Sequence, residues 1–132
     1  MPASVLVADD DPLLRELVRF KLEAAGHALT LVGDGAAALA AAREGQPDLL
    51  ILDSMMPILS GPEVLRALKE DPVTKAIPVL MLTSRKAQDD VVSALRGGAA
   101  DYLTKPFLPE ELAMRVEGLL ARRAAERRDA EA

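Results

Sequence analysis

Short apolar runs that end at polar residues constrain the fold of this chain more than any other feature. The runs cover residues 5–8, 49–52 and 79–82, and a fourth, shorter segment ends at residue 105. Runs of this length between turn residues are typical of strands buried on both faces of a parallel sheet. The polar residues at their ends are Asp9, Asp10, Asp53, Thr83 and Lys105. In open parallel sheets ligands bind at the carboxyl ends of the strands, so the sequence predicts a polar site at one edge.

Strands alternate with helical patterns along the whole chain, which predicts βα units around a mainly parallel sheet. The predicted strands cover about residues 4–8, 28–32, 48–52, 77–82 and 100–103. The predicted helices cover about residues 12–25, 36–43, 61–70, 87–96 and 110–128, and Asp11 is the expected cap of the first. We therefore predict an α/β fold, a doubly wound (βα)5 three-layer sandwich. A parallel strand order 2-1-3-4-5 would place strands one and three side by side.

Composition narrows the class of protein. The chain has 132 residues, enough for one domain with its own core. It has no cysteine, which excludes disulfides, thiol catalysis and cysteine metal sites. It shows neither a membrane span nor a secretory signal pattern, so we expect no membrane association and a cytoplasmic location. The net charge of −5 and the scarcity of aromatic residues argue against direct nucleic-acid binding. The single histidine, His27, is predicted to be an ordinary surface or turn residue.

If strands one and three are neighbours, the carboxylates of Asp9, Asp10 and Asp53 converge. Three ionised carboxylates this close repel one another, and a hard divalent cation such as Mg²⁺ relieves that repulsion. Lys105 can add a further positive charge, and Thr83 a hydroxyl group. An aspartate can also act as a nucleophile and form an aspartyl-phosphate. The simpler interpretation of one aspartate after a strand is a helix cap, but the combination of groups at four strand ends favours a site.

The chain resembles the receiver domain of bacterial response regulators. The segments that carry the resemblance are residues 5–12, 47–57, 61, 83–84 and 101–107. The resemblance covers about residues 3–122. It implies a flavodoxin-like fold and one receiver domain over residues 1–122. Residues 123–132 would then be a charged helical extension or the start of a linker.

The resemblance implies a function in two-component phosphorelay signalling. Asp53 would accept a phosphoryl group from a sensor histidine kinase or a histidine phosphotransfer protein. Mg²⁺, with Mn²⁺ as an alternative, would be held by Asp53, by Asp10 directly, by Asp9 largely through water, and by the backbone carbonyl of Met55. Thr83 and Lys105 would contact the phosphoryl group. The domain would not be an enzyme acting on external substrates.

The resemblance also implies a switch. Thr83 would move toward the phosphoryl group and Tyr102 would turn inward. The output face would comprise the fourth predicted helix, the fifth strand and the fifth predicted helix, and would control a downstream protein or a missing output domain. Lys105–Pro106 would be a cis peptide bond. Charged residues on that face match in part a dimer pattern of the family, so we expect at most a weak homodimer. They are Asp101, Glu111, Arg115, Arg96 and Glu117.

Two other classes remain open. The first is a metal-dependent phosphatase with an aspartyl nucleophile. That class usually needs a second aspartate two residues after the nucleophile, where this chain has Met55. The second is a degenerate receiver that acts only as a binding module. The complete acidic set with Thr83 and Lys105 argues against that interpretation.

Overall fold

Five parallel strands form one sheet in the computed structural model, which describes residues 2–84 and 96–131. The strands are β1 (Ser4–Ala8), β2 (Ala28–Val32), β3 (Leu49–Asp53), β4 (Val79–Ser84) and β5 (Asp101–Lys105). The helices are α1 (Pro12–Ala24), α2 (Gly35–Gly45), α3 (Gly61–Glu70) and α4 (Pro109–Glu131). The strand order β2-β1-β3-β4-β5 confirms the predicted doubly wound, flavodoxin-like fold. The helix predicted at about 87–96 lies outside the described residues, except for Arg96 at its end.

The sheet has a hydrophobic core on each face, because successive strand residues point to opposite sides. One core joins Leu6, Leu50, Leu52 and Met81 of the strands to Ala38, Ala42, Val64, Leu65 and Leu68 of α2 and α3. The other joins Val5, Val7, Ile51, Leu82 and Leu103 to Val18, Leu22, Leu112, Val116 and Leu119 of α1 and α4. The two cores produce the three predicted layers. None of the described helices combines the length and the hydropathy that a transmembrane segment requires.

Three strands end later than the sequence predicted. β3 includes Asp53, β4 includes Thr83 and Ser84, and β5 continues to Lys105. The prediction ended each strand near its last apolar residue, whereas parallel pairing depends on the backbone and continues beneath polar side chains. Thus Asp53 lies opposite Leu82. The polar side chains of the site therefore continue the alternation of the strands.

Side-chain caps define the starts of three helices. The Asp11 carboxylate accepts a hydrogen bond from the backbone N–H of Leu13 at 3.0 Å, which confirms the predicted cap of α1. Asp34 caps α2 in the same way. Ser60 and Glu63 form a reciprocal capping box at α3. These caps place the first turns of all three helices at the carboxyl edge of the sheet.

The prediction that His27 is an ordinary surface or turn residue is wrong for exposure, since His27 is only 4% exposed, although it directly follows the turn at residues 25–26. Its Nδ1 accepts a hydrogen bond from the backbone N–H of Ala3 at 3.1 Å. Its Nε2 lies 2.6 Å from Oε1 of Glu117, which is 90 residues away in the chain. α4 covers this corner of the sheet, and no local sequence pattern reports a contact of that separation. His27 precedes β2 and lies at the amino-terminal edge of the sheet, away from the acidic residues.

Candidate functional site

The carboxylates of Asp9, Asp10 and Asp53 meet at the carboxyl edge of the sheet. One oxygen atom from each lies within 4.8 Å of the other two. The register explains the meeting, because β1 and β3 are adjacent and Val7 lies opposite Ile51. Asp9 and Asp53 each follow those residues by two positions and so share their face of the sheet. The structure thus brings together the three carboxylates that the sequence predicted to converge.

Lys105 bridges two of these carboxylates. Its Nζ donates to Oδ2 of Asp9 at 2.9 Å and to Oδ1 of Asp53 at 3.2 Å. The other oxygen of Asp9, Oδ1, accepts the backbone N–H of Asp11 at 2.9 Å. Asp9 is fully buried, and a buried charge is tolerated only when it is paired and hydrogen-bonded. The Lys105–Pro106 peptide bond is cis, as the resemblance implies.

Asp53 has a strongly perturbed pKa. Burial raises the pKa of this carboxyl, and the negative charge of Asp9 raises it further. The charge and hydrogen bond of Lys105 and the backbone N–H of Met55 offset part of that increase, leaving a pKa of about 6. Burial lowers the pKa of Lys105, but its hydrogen bond to Asp9 and the charges of both aspartates outweigh burial, so that pKa is raised. The site therefore combines a carboxyl group that titrates near neutrality with a lysine held in its charged form.

The donor set fits a hard divalent cation. Among residues 2–84 and 96–131, the three carboxylates face one ammonium group, that of Lys105, so these residues carry excess negative charge. Its ligand atoms are all oxygen, the type that Mg²⁺ and Mn²⁺ prefer. Asp10 is exposed, which leaves room for bound water. Met55 begins the loop after β3; its side chain is 71% exposed, and its N–H lies 3.4 Å from Oδ1 of Asp53. Its backbone is therefore the part of Met55 that adjoins the cluster.

Thr83 is buried beside the cluster but is not hydrogen-bonded to it. Its hydroxyl oxygen has no hydrogen-bond partner among residues 2–84 and 96–131. Thr83 alternates with Met81 and so belongs to the face covered by α2 and α3, whereas Asp53 belongs to the opposite face. Tyr102 of β5 lies opposite Met81 of β4. Its side chain is half-buried and packs on the same face of the sheet as Thr83. A buried hydroxyl group without a hydrogen-bond partner costs folding free energy. The Thr83 hydroxyl can therefore gain a hydrogen bond if a ligand binds or the side chain moves.

Gly61 fixes the position of the loop that follows Asp53. Its backbone N–H donates to the carbonyl oxygen of Ser54 at 3.0 Å. A Cβ atom at this position would collide with the carbonyl oxygen of Asp53 and would lie 2.7 Å from Cα of Ser54. Only glycine therefore allows α3 to start this close to the end of β3.

Arg15 also belongs to the site, although it was not among the predicted site residues. Its Nη1 donates to the backbone carbonyl oxygen of Asp9 at 2.7 Å, from the first turn of α1. This contact supports the turn that carries Asp9 and Asp10. One sequence feature could have predicted this contact: an arginine in the first turn of a helix that directly follows a strand. A side chain of that length can reach back to the end of the strand.

Comparisons with known proteins agree with this geometry. The sequence model of the response regulator receiver domain matches residues 5–117. The DNA-binding response regulator MtrA of Mycolicibacterium smegmatis is 43% identical over 122 residues, which cover 92% of this chain and 52% of that protein. The phosphate regulon transcriptional regulatory protein PhoB of Pseudomonas aeruginosa is 40% identical over 90% of this chain and 52% of its own length.

Solved structures show the same similarity. The chemotaxis response regulator CheY4 of Vibrio cholerae has a TM-score of 0.84 and 33% identity, over 90% of this chain and 99% of that chain. NtrX of Brucella abortus has a TM-score of 0.92 and 32% identity, over 99% of this chain and 29% of that one.

The fold, the acidic edge and these similarities define the class, a signalling domain of two-component systems. The chain belongs to the response regulator receiver family. It spans about half the length of the curated relatives that it matches.

Proposed function

We propose that this domain is a phosphorylation-activated switch and that Asp53 is its phosphoacceptor. The observation that carries the proposal is the cluster of three carboxylates within 4.8 Å, bridged by Lys105. The phosphoryl donor is a histidine of a sensor kinase or of a histidine phosphotransfer protein. The domain catalyses only its own phosphorylation and dephosphorylation and is not an enzyme for other substrates.

The transfer uses Asp53 as a nucleophile. A carboxylate oxygen forms a bond to phosphorus while the phosphorus–nitrogen bond of the phosphohistidine breaks, and the electron pair stays on that nitrogen. Asp53 is mainly ionised at neutral pH, because its pKa is about 6. Lys105, which touches Asp53 already, neutralises charge on the phosphoryl oxygens.

Asp9, Asp10, Asp53 and the backbone carbonyl of Met55 are the groups that would hold Mg²⁺ or Mn²⁺. The bound cation would stabilise the charge of the transferred phosphoryl group. The roles of the chain itself are to place the carboxylates at one point and to compensate the buried carboxylate of Asp9 with hydrogen bonds from Lys105 and from the N–H of Asp11.

Thr83 and Tyr102 form the proposed switch. The unbonded hydroxyl of Thr83 is the group that would turn to a phosphoryl oxygen, and Tyr102 packs on the same face of the sheet. Movement of Thr83 would then change the space available to Tyr102. The output face would comprise the helix predicted at about 87–96, which is outside the described residues, together with β5 and α4.

The output of the switch is a downstream protein or a further domain. MtrA is described as DNA-binding, and the chain spans about half of it. We propose that the receiver itself contacts protein and not nucleic acid. Dimerisation through β5 and α4 would be weak, because Arg115 already pairs with Asp101 of the same chain at 3.0 Å and Glu117 with His27.

Incubation with acetyl phosphate and Mg²⁺, followed by Phos-tag electrophoresis, tests the acceptor. We expect a retarded band for the wild type and for Asp129→Asn, a matched change of an exposed carboxylate in α4. Asp53→Ala should show no retarded band, and Asp10→Asn should lose most of it because Mg²⁺ binding is lost. A retarded band of unchanged intensity in Asp53→Ala would refute the acceptor role.

The two alternative functions give different results in the same experiments. An aspartyl phosphatase would hydrolyse p-nitrophenyl phosphate with many turnovers, and we expect none because Met55 replaces the second aspartate of that class. A receiver that acts only as a binding module would show no Mg²⁺-dependent phosphorylation. The cluster of Asp9, Asp10 and Asp53 favours phosphorylation over that alternative.

A further inference from the structure

Three basic side chains meet at the amino-terminal edge of the sheet, opposite the acidic site. Lys69 near the end of α3 and Arg122 and Arg123 of α4 line one cavity of about 170 Å³. Pro78 and Ala100, which precede β4 and β5, contribute apolar wall. We call Lys69, Arg122 and Arg123 the basic corner. These positive charges are concentrated here although the chain as a whole carries −5.

Backbone contacts hold two members of the basic corner together despite their like charges. Nζ of Lys69 donates to the carbonyl oxygen of Lys75 at 3.1 Å, and a guanidinium nitrogen of Arg123 donates to that of Ala76. Burial lowers the pKa of Lys69, and the positive charge of Arg123 lowers it further. Burial and the charge of Arg127 also lower the pKa of Arg123, and they outweigh the opposing charges of Asp48 and Glu126. The surroundings therefore supply too little negative charge to keep the pKa values of Lys69 and Arg123 at their ordinary level.

Unused hydrogen-bond donors remain in the basic corner. Nε of Arg123 is buried and has no acceptor within the described ranges 2–84 and 96–131. Lys69 has further N–H donors beyond the one that contacts Lys75. Arg122 is exposed at the rim of the cavity. Among the described residues that line this cavity, three cations face one carboxylate, Glu126; Asp48 lies outside the lining and pairs with Arg127. Unpaired donors next to excess positive charge are the chemistry of an anion site.

We propose that the basic corner binds a small oxyanion of the phosphate class. The cavity volume of about 170 Å³ suits one such group and not an extended polymer. Arginine guanidinium groups match the geometry of phosphate oxygens, and an ammonium group adds a compact charge. A bound oxyanion would connect α3 to α4, because Lys69 belongs to one helix and the two arginines to the other. This site is separate from the proposed acceptor, which lies at the opposite edge.

Titration with inorganic phosphate, pyrophosphate and ATP tests the proposal, with NaCl at matched ionic strength as the reference. EDTA is present throughout, so that metal at the acidic site does not contribute. The readouts are the melting temperature and the amide signals of Ala76 and Gly98 in ¹H–¹⁵N correlation spectra. We expect saturable shifts, and roughly tenfold weaker binding for Arg122→Gln and for Lys69→Gln, since each loses a charge-assisted hydrogen bond.

The controls separate this site from the acceptor. Arg128→Gln removes an exposed arginine of the same helix and should bind the anions like the wild type. Asp53→Asn should also bind the anions like the wild type, because Asp53 lies at the opposite edge of the sheet. Anion binding at the basic corner therefore does not depend on whether Asp53 is the phosphoacceptor. Tighter binding of ATP than of pyrophosphate would indicate that the site recognises a phosphate ester. Equal binding of the two would indicate that it recognises a free oxyanion. Shifts no larger than those in NaCl, or unchanged binding in both Arg122→Gln and Lys69→Gln, would overturn the proposal.

Discussion

At the residue scale, the site depends on a balance between buried charges. Asp9 is fully buried, and its carboxylate is balanced by Lys105 and by the N–H of Asp11. Asp53 shares Lys105 with Asp9 and is therefore less well compensated. Its raised pKa reflects this incomplete compensation of its negative charge. Of the two buried carboxylates, the one with less compensation is the one proposed to react, which is consistent with perturbed groups marking functional sites.

The pKa of Asp53 predicts how stability depends on pH in EDTA. The value rises from 3.8 to about 6 on folding, so the folded protein holds a proton that the unfolded chain releases between those values. The contribution of Asp53 to stability therefore falls as pH rises through this window and stays lower above it. Asp53→Asn removes the effect, and its advantage in unfolding free energy should grow by about 1–2 kcal/mol between acidic and neutral pH.

Urea denaturation at several pH values measures that difference. Asp129→Asn serves as the control, since this exposed carboxylate should give a difference from the wild type that does not change with pH. An advantage of Asp53→Asn that is the same at pH 4.5 and pH 7.5 would contradict the raised pKa.

Lys105 is predicted to stabilise the fold as well as to serve the site. Lys105→Gln leaves the buried carboxylate of Asp9 without its cation, which should cost about 2–4 kcal/mol of unfolding free energy in EDTA. Lys21→Gln is the matched control, because the partly exposed Lys21 pairs at 3.8 Å with Glu110, which is exposed. That control should cost less than about 0.5 kcal/mol. Equal losses in the two variants, measured by urea denaturation, would refute the role of Lys105.

At the element scale, the site depends on how closely α3 approaches the end of β3. The capping box of Ser60 and Glu63 fixes where α3 begins, and Gly61 lets its first turn rest on the backbone of Asp53 and Ser54. Gly35 at the start of α2 packs in the same way against the backbone of Leu59. Two glycines at helix starts thus hold the loop after Asp53 from both sides.

A pair of glycine substitutions tests this packing. Gly61→Ala should lower the unfolding free energy by about 3 kcal/mol, because the added methyl group meets backbone atoms that cannot move independently. Gly118→Ala, in the exposed interior of α4 with no atom within 4 Å of the added methyl group, should raise it by about 0.5–1 kcal/mol. Thermal unfolding compares the two, and a neutral Gly61→Ala would show that the loop adjusts freely.

At the scale of the whole molecule, α4 connects the last part of the chain to the beginning of the sheet. Arg123 donates to the carbonyl oxygen of Ala76, and Nη1 of Arg127 lies 2.8 Å from Oδ1 of Asp48. Burial raises the pKa of Asp48, but the hydrogen bonds from the N–H of Ser4 and from Arg127 outweigh it, so the pKa is lowered. Both arginines lie beyond residue 122, the predicted end of the receiver domain.

Truncation tests that predicted boundary. Removal of residues 123–132 should cost about 1–2 kcal/mol of unfolding free energy, since two contacts with the segments that precede β3 and β4 are lost. Removal of residues 129–132 should be nearly neutral. The part of the loss due to Asp48 should disappear in acid, because a lowered pKa gives stability that is lost as pH falls through it. Full stability after truncation at residue 122 would support the predicted boundary.

The polar ends of the strands show why prediction was incomplete. Polarity suggested that the strands end before Asp53, Ser84 and Lys105. Each of these residues belongs to a strand, because hydrogen bonding between strands does not depend on side-chain polarity. His27 and Glu117 are 90 residues apart, and their contact exists only because α4 packs beside α1 and so brings Glu117 to the residue that precedes β2. Arg15 became part of the site through its reach to the carbonyl oxygen of Asp9.

The sequence by itself determined the α/β class and the polar residues at one edge, because apolar runs of strand length alternate with helical patterns and end in acidic, hydroxyl and basic groups. Those are properties of neighbouring residues, and local spacing records them. Only the tertiary structure decided that Lys105 bridges Asp9 and Asp53, that the hydroxyl of Thr83 lacks a partner in the described chain, and that α4 closes the opposite edge. Such contacts join distant residues, and burial and charge act on them only once the chain has packed.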